Sequence, residues 1–543
     1  MAEKSLDPES GRGPKHLSFP HWRLIFDQAP ISPEIQEWPY EGSGTDTDPY
    51  IICWISHDPR DPKTFSKWRK WVLTILVTFM TLTTAFGSST YAGSIDQTVE
   101  DLHVSEEVAT LGLALYVLGF VPGTLFWAPL SESNGRQLIF FWSYALFTIF
   151  NIAGTVAPNI QSLLVFRFLA GTLGSSPYTN SGGVIADIFP ASERGIPMTF
   201  FGTAPFLGPV LGPVVGGFLG ETKGWRWVQG VFTILAGVLW ILSTFLIPET
   251  YAPYLLHKRA EKLSKITGKV YRTSIEVDQG KTPTIQLLKA ALLRPWILLL
   301  KEPIVLFLSI WMSISYGTLY LLFAAYPIVY QARGWNEGLS NLPFLGITIG
   351  MVAAIFYNVF DNRRYHGLVC KLGGGGLPPE ARLPSAMVGG VVLPIGLFWF
   401  AWTNSPSVPW PASVAAGIPF GFGMVLTFVA IKSYLVDAYT IFAASALAAT
   451  VVLRSFFGAG FPMFTTYMYH NLGVHWASSI TAFLALMCTP LPFVFYKYGA
   501  QIRLRCKYAA QAAAAMKKLR GEGESEDEMD KGLRKKGDEE DQQ

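Results

Sequence analysis

GPVLGPVVGG, residues Gly208 to Gly217, places four glycines and two prolines inside an uncharged apolar segment running from about Ile196 to Gly220. That segment is longer than the roughly 20 apolar residues a bilayer core requires, so it reads as a membrane span. Gly208, Gly212 and Gly216 recur every fourth residue and form one bare stripe down a helix, on which a neighbour can pack backbone to backbone. Pro209 and Pro213 fall on the next stripe, each removing an intrahelical hydrogen bond and bending the helix. A bent helix with a smooth face suits a moving joint. It also suits a static small-residue seam, and geometry alone leaves both readings open.

The rest of the chain agrees with a membrane setting. Half of the residues are hydrophobic, only 15% are charged, and the mean hydropathy is +0.31, which excludes a soluble enzyme or a set of soluble domains. The net charge of +3 is too small to indicate a nucleic-acid partner. The first seventy residues are polar, carry no apolar leader, and read as a loosely structured tail ending in the interfacial anchor Lys67-Trp68-Arg69-Lys70-Trp71. Apolar runs follow at about 71–93, 107–129, 137–157, 161–186, 196–220 and 226–247, then, beyond a polar stretch, at about 303–327, 337–360, 384–403, 410–435, 440–467 and 475–498. The expected fold is therefore an all-α polytopic membrane protein with twelve transmembrane helices in two pseudo-symmetric six-helix halves. Its expected divisions are a tail (1–70), a first half (71–247), a central loop (248–302), a second half (303–498) and a C-terminal tail (499–543).

Lys and Arg set the orientation. One side carries Arg136, Arg194, the central run from Lys258 to Lys301, and Arg363, Arg364, Lys371 and Arg382; the other has Lys223, Arg226, Arg333 and the acids Asp96, Glu100, Asp101, Glu106 and Glu107. Both termini are expected in the cytoplasm, and the central basic loop needs no ligand to explain it. Cys53, Cys370 and Cys506 then fall on the cytoplasmic side and Cys488 within a span, so no disulfide is expected. The acidic tail from Lys517 to Gln543 reads as solvated. Asp187 closes span 4 and Asp437 closes span 10, six spans later, a faint internal repeat.

Few residues carry chemistry. No catalytic set, metal cluster or G-x-x-x-x-G-K-[ST] phosphate loop is present, so the chain reads as no enzyme, with no cofactor and no direct ATP drive. His470 and His475 read as plain loop residues. Arg167, about two turns inside span 4, is costly in a bilayer and must face a cavity or a partner, or else pair helices. Arg454 in span 11 poses the same choice, and Lys432 in span 10 reads as snorkelling at the membrane edge.

Several segments carry a resemblance. The order G-x-x-x-G-P-x-x-G-G on Gly208, Gly212, Pro213, Gly216 and Gly217 looks like the fifth-span motif of drug:proton antiporters in the major facilitator superfamily. Ala128-Pro-Leu-Ser-Glu132-Ser-Asn-Gly135-Arg136 resembles that superfamily's loop motif G-x-x-x-D-R-x-G-R, with Ala128 and Ser133 as departures. Asp58-Pro-Arg-Asp-Pro62, Pro248-Glu-Thr-Tyr-Ala-Pro253 with Leu255-Leu-His-Lys258, Pro379-Glu-Ala-Arg-Leu383, Tyr434-Leu-Val-Asp437-Ala-Tyr439 and Arg454-Ser455 extend the likeness to the fungal twelve-span drug:proton antiporters.

The resemblance implies a monomeric, proton-driven efflux protein of the plasma membrane, exporting amphipathic small molecules such as drugs, fungicides or secondary metabolites by alternating access, with the proton gradient as its energy source. It implies gating by Glu132 and Arg136, with Ser133 unable to supply the family's first arginine, and a link between Arg167 and proton coupling through a nearby acid, with Asp96 and Asp187 as peripheral candidates and Asp437 as a further coupling or gating candidate. It also places Tyr91, Phe201, Tyr316, Tyr320, Phe323, Phe420, Phe422, Phe428 and Arg454 on spans that line a cavity, whose aromatic walls favour bulky flat ligands. The alternatives are an uptake symporter on the same fold, disfavoured by the fifth-span motif, and a non-transporting sensor, disfavoured by short featureless tails.

Overall fold

The computed structural model describes residues 19–55, 58–190, 193–279, 284–371 and 377–514; the expectation for the tail from Lys517 to Gln543 lies outside them. Apolar runs become helices because lipid offers the backbone no hydrogen bonds. The first half contains span 1 (Lys67–Thr90), span 2 (Glu106–Asn134), span 3 (Arg136–Thr155), span 4 (Ile160–Gly174 continued as Ser176–Ile188), span 5 (Gly195–Lys223) and span 6 (Trp225–Leu246). The second contains span 7 (Pro303–Gln331), span 8 (Phe344–Lys371), span 9 (Leu383–Thr403) and span 10 (Gly417–Tyr439). Spans 11 and 12 follow within Ala443–Cys488, which reverses at Gly473 (φ 73°), and span 12 ends in Pro490–Arg505.

Length and apolarity alone pick out 9 stretches among the described residues. One of them, Trp410–Arg505, doubles back and so contains three crossings, and span 4 is broken at Ser175 into two pieces too short to count. Together these make the twelve spans.

Glycine seams bind the helices within each half. A Cβ on Gly208 would lie 2.5 Å from the Leu82 carbonyl, on Gly212 2.0 Å from Ser89 Oγ and 2.8 Å from Thr90 N, and on Gly216 2.1 Å from the Thr90 carbonyl. The bare stripe of span 5 therefore packs on span 1 of its own half. Gly217 turns elsewhere: its missing Cβ would sit 2.7 Å from Asn341 Nδ2, in the second half. Gly171 comes as close to the Tyr116 carbonyl, and Gly350 to that of Ile418, so seams of this kind recur in both halves.

The N-terminal segment departs from its expectation. Its strand β1 (Tyr50–Ile52) pairs in parallel with β2 (Tyr271–Thr273) of the central loop, Tyr50 opposite Tyr271. Ile35, Tyr40, Ile52 and Ile55 bury themselves against Ala260 and Leu263 of the helix Ala252–Thr267. Asp58 and Arg259, both buried, pair at 2.5 Å. The apolar residues of the tail are too sparse to announce a fold, and their partners lie about two hundred positions later (|i−j| is 201 for that ion pair).

Gly212→Ala is expected to wedge spans 1 and 5 apart and cost about 1–3 kcal/mol, seen as a fall in melting temperature of the purified protein. Gly202→Ala, with nothing within 4 Å of the added methyl, is the matched control. Equal melting temperatures for the two variants would contradict the seam.

Candidate functional site

At the face where span 1 begins and span 12 ends, span 2 ends and span 3 begins at Gly135 (φ 86°). A helix starting there leaves N–H groups without intrahelical partners. Glu249, from the connection after span 6, accepts from Arg136 N and Gln137 N, each at 3.0 Å, and from the Thr250 and Tyr251 N–H groups. Burial nevertheless holds its carboxyl above the ordinary carboxylate value, against the four N–H groups that favour the anion. Arg136 Nε bonds Asp187 Oδ2 at 2.8 Å, its Nη1 donates to Ser131 Oγ, and its guanidinium stacks 5.0 Å over Tyr251.

The second half repeats this pair: Arg382 Nε bonds Asp437 Oδ2 at 2.9 Å, again joining the start of one span to the end of the next. Sequence reading found both aspartates and missed Arg382 and Glu249, although the six-span period pointed to the first. Among the described residues the exposed Glu132 side chain takes part in no hydrogen bond, though the Arg136 charge acts on it, and Ser133 Oγ bonds the Pro129 and Leu130 carbonyls of its own helix. Arg136 thus ties elements of one half together, whereas the gating expectation had it act with Glu132. Across the halves at this face, Gly195 approaches Asn362 of span 8.

Midway through the bundle, Arg167 is 3% exposed. The helical partner of the Gly87 carbonyl would be the Tyr91 N–H, which bonds the Ser89 carbonyl. The freed carbonyl accepts from Arg167 Nη2 at 3.3 Å, the Ser88 carbonyl at 3.4 Å, and the Gly112 carbonyl accepts from Nε at 2.7 Å. Tyr91 and Tyr116 lie under the guanidinium at 4.3 and 5.0 Å. Neither acid proposed for it is in contact: Asp187 belongs to Arg136, and Asp96 sits among Glu106, Glu100 and Gln331. Tyr91 is a pillar beneath Arg167, its hydroxyl donating to the Ala109 carbonyl.

Span 7 supplies an aromatic column. Tyr316, Tyr320 and Phe323 follow at helical spacing, with successive ring centroids 4.8 Å apart. Ser88 of the first half and Tyr320 of the second meet at 2.6 Å, and the Tyr316 hydroxyl donates to that of Tyr320 at 3.1 Å. Phe206 of span 5 meets Phe428 of span 10 across the halves at 4.5 Å. Arg454 lies below the column, 5.0 Å over Tyr316 and 5.8 Å over Tyr178. Lys432 was expected at the membrane edge; its ammonium points inward, 5.3 Å over Phe206. The remaining aromatic candidates lie apart: Phe201 packs on Gly182 of span 4, Phe422 on Tyr357 of span 8, and the Phe420 backbone against Gly396 of span 9.

Phe323 opens onto a vestibule of about 390 Å³ at the opposite face, lined from both halves by Asp96, Glu106, Thr110, Glu337, Asn341 and Thr466 among others. Thr466 Oγ1 donates to Glu106 at 2.9 Å, the Gly338 N–H donates to Glu221 at 2.9 Å, and Gln97 bonds Glu337.

Comparison with known proteins matches this architecture. The family model described as Major Facilitator Superfamily matches residues 77–461. The chain is 58% identical over 502 residues to the major facilitator superfamily multidrug transporter mdrA of Aspergillus fumigatus, covering 92% of this chain and 82% of that protein. It is 55% identical to the MFS-type efflux pump MFS2 of Trichophyton rubrum, covering 94% of this chain and 87% of that protein. Among solved structures it resembles the proton:xylose symporter XylE bound to 6-bromo-6-deoxy-D-glucose, at a TM-score of 0.57 and 16% identity over 80% of this chain and 96% of that one, a likeness of fold.

Arg167→Ala leaves three buried carbonyls without their donor and is expected to lower thermal stability by about 2–3 kcal/mol. Unfolding curves at acid and neutral pH should show the same loss. A loss confined to one pH would mean that Arg167 serves a titrating partner.

Proposed function

We propose, since this chain belongs to the major facilitator superfamily, that it exports amphipathic small molecules in exchange for protons by rocking its two six-helix halves. It is a multi-pass membrane transporter of the efflux branch, and no enzyme. The positive-inside bias supports cytoplasmic termini at the face of Arg136, and an export role favours a plasma-membrane site. A single chain holds both halves of the path, which supports a monomer. The halves 71–247 and 303–498 are the moving bodies.

The observation that carries the coupling is the meeting, at the face opposite the termini, of Asp96, Glu106 and Glu221 from the first half with Glu337 from the second. Closing that face brings Glu337 within electrostatic reach of Asp96, Glu221 and Glu100. Like charges held together favour taking up a proton. Acid outside therefore favours closure of the outer face once cargo has left, which reopens the inner face to cargo. With the outer face closed and the inner face open, the proton leaves toward the cytoplasm before cargo returns the protein to the outward-facing state. Proton and substrate then cross in opposite directions through alternate conformations of one protein, which is what exchange requires. The aromatic column from Tyr316 to Phe323 supplies the path, interrupted by the Ser88–Tyr320 hydrogen bond. Arg167, held by carbonyls, braces spans 1, 2 and 4 beside it and carries no proton.

In inside-out vesicles with an acid lumen, a labelled azole is expected to accumulate and to leave when a protonophore collapses the gradient. Gradient-driven entry into right-side-out vesicles alone would overturn export. Glu337→Gln removes the need for a proton at closure, so its transport is expected to lose most of its dependence on lumen pH. A wild-type pH profile in that variant would remove Glu337 from the coupling.

A further inference from the structure

Two cations lie inside the half interface without an acid. Arg454 is 2% exposed, and its Nε and Nη1 are buried with no hydrogen-bond partner. The Tyr178 hydroxyl, whose ring the guanidinium faces at 5.8 Å, is likewise buried and unpartnered. Lys432, on the neighbouring span, holds its ammonium over Phe206, and the charge that acts on it is that of Arg454. Among the described residues no carboxylate forms an ion pair with either.

An unpaired guanidinium away from water is costly, and an apolar side chain of similar volume packs at no such cost. Arg167 shows how the same chain treats an architectural arginine: its Nε and Nη2 are spent on carbonyls. Arg454 spends neither Nε nor Nη1. Its free donors and the Tyr178 hydroxyl face the aromatic rings that form the path, from spans 4 and 5 on one side and spans 7, 10 and 11 on the other.

A carboxylate answers each of these features. It accepts charge-assisted hydrogen bonds from the guanidinium, accepts another from the Tyr178 hydroxyl, and offsets the mutual repulsion of Arg454 and Lys432. The rings of Tyr316, Tyr320 and Phe428, fully buried in this closed arrangement, would flank a flat apolar body beside it once the halves part. We propose that Arg454, Lys432 and Tyr178 form the binding site for an organic anion, so that the exported cargo is an aromatic or amphipathic carboxylate carried in its charged form. This proposal rests on the export reading and narrows its substrate class.

The test uses purified full-length protein in lipid nanodiscs, titrated calorimetrically with 2-naphthoate, its neutral methyl ester and 2-naphthylmethylammonium. The acid is expected to bind at least about tenfold more tightly than the ester or the amine. Arg454→Gln should weaken the acid about ten- to a hundredfold and leave the ester unchanged, with partial recovery in Arg454→Lys. Should Arg454→Gln fail to fold, Lys432→Gln carries the test through the same loss of preference for the acid. Equal binding of the three probes, absence of binding by all of them, or full acid affinity in the variants overturns the site. If a neutral azole is still exported from vesicles in that case, export stands and only the anion site falls. Acid-selective binding by a protein that exports no compound has the reverse meaning, overturning export and leaving the site.

Discussion

A guanidinium inside an apolar bundle needs acceptors, and much of this molecule follows from how that need is met. In the first half it is met by the backbone. A shortened turn at the end of span 1 frees the Gly87 carbonyl, and Arg167 takes it together with those of Ser88 and Gly112. Three spans are thereby fixed around one side chain, on a floor of Tyr91 and Tyr116. In the second half the corresponding need at Arg454 is not met by the chain. One arginine spends its donors on structure and the other holds them toward the path.

The seams within a half and the contacts between halves differ in kind. Within a half, backbones approach so closely at Gly208, Gly212, Gly216 and Gly171 that a methyl group has no room. Such seams cannot open by degrees without losing dispersion contact along their whole length. Between halves the polar contacts among the described residues are single hydrogen bonds, Ser88 to Tyr320, Gln97 to Glu337, Gly338 to Glu221 and Thr466 to Glu106, each replaceable by water or cargo at small net cost. Motion therefore belongs to the half interface. The fifth-span motif serves it chiefly by making one half stiff, and Gly217 alone of its glycines faces the other half.

Residue patterns made the twelve spans and the two halves legible, because hydropathy and the absence of water in lipid leave few alternatives. The broken span 4 was legible as one apolar run, since Ser175 interrupts helical geometry without adding charge. Sites made by distant residues were less so. Asp187 and Asp437 stood out as a repeat, yet Arg382 looked like one topogenic charge among many. Lys432 read as a snorkelling side chain because its depth was judged from its own span, while its direction is set by Phe206 of another. The N-terminal segment was illegible for the same reason: Ile35, Ile52 and Asp58 acquire meaning only beside Leu263 and Arg259.

That terminal layer bears on how the halves can move. Asp58 holds Arg259 and the Arg60 N–H, Arg60 Nη1 donates to the Glu249 carbonyl at 3.0 Å, and the Glu249 carboxylate caps span 3 where Arg136 reaches Asp187. The N-terminal segment and the start of the central loop are thus parts of the first half mechanically, whatever their distance along the chain. The helix Thr284–Lys301 then crosses to the second half, lying against spans 2 and 11, one from each half. Its Trp296 meets Phe456 of span 11, and its Arg294 stacks over Phe442. A helix seated on both bodies must slide against at least one of them when they rock. The side anchored by aromatic contacts is the second half, so in a rocking exchange the sliding surface is the one against span 2.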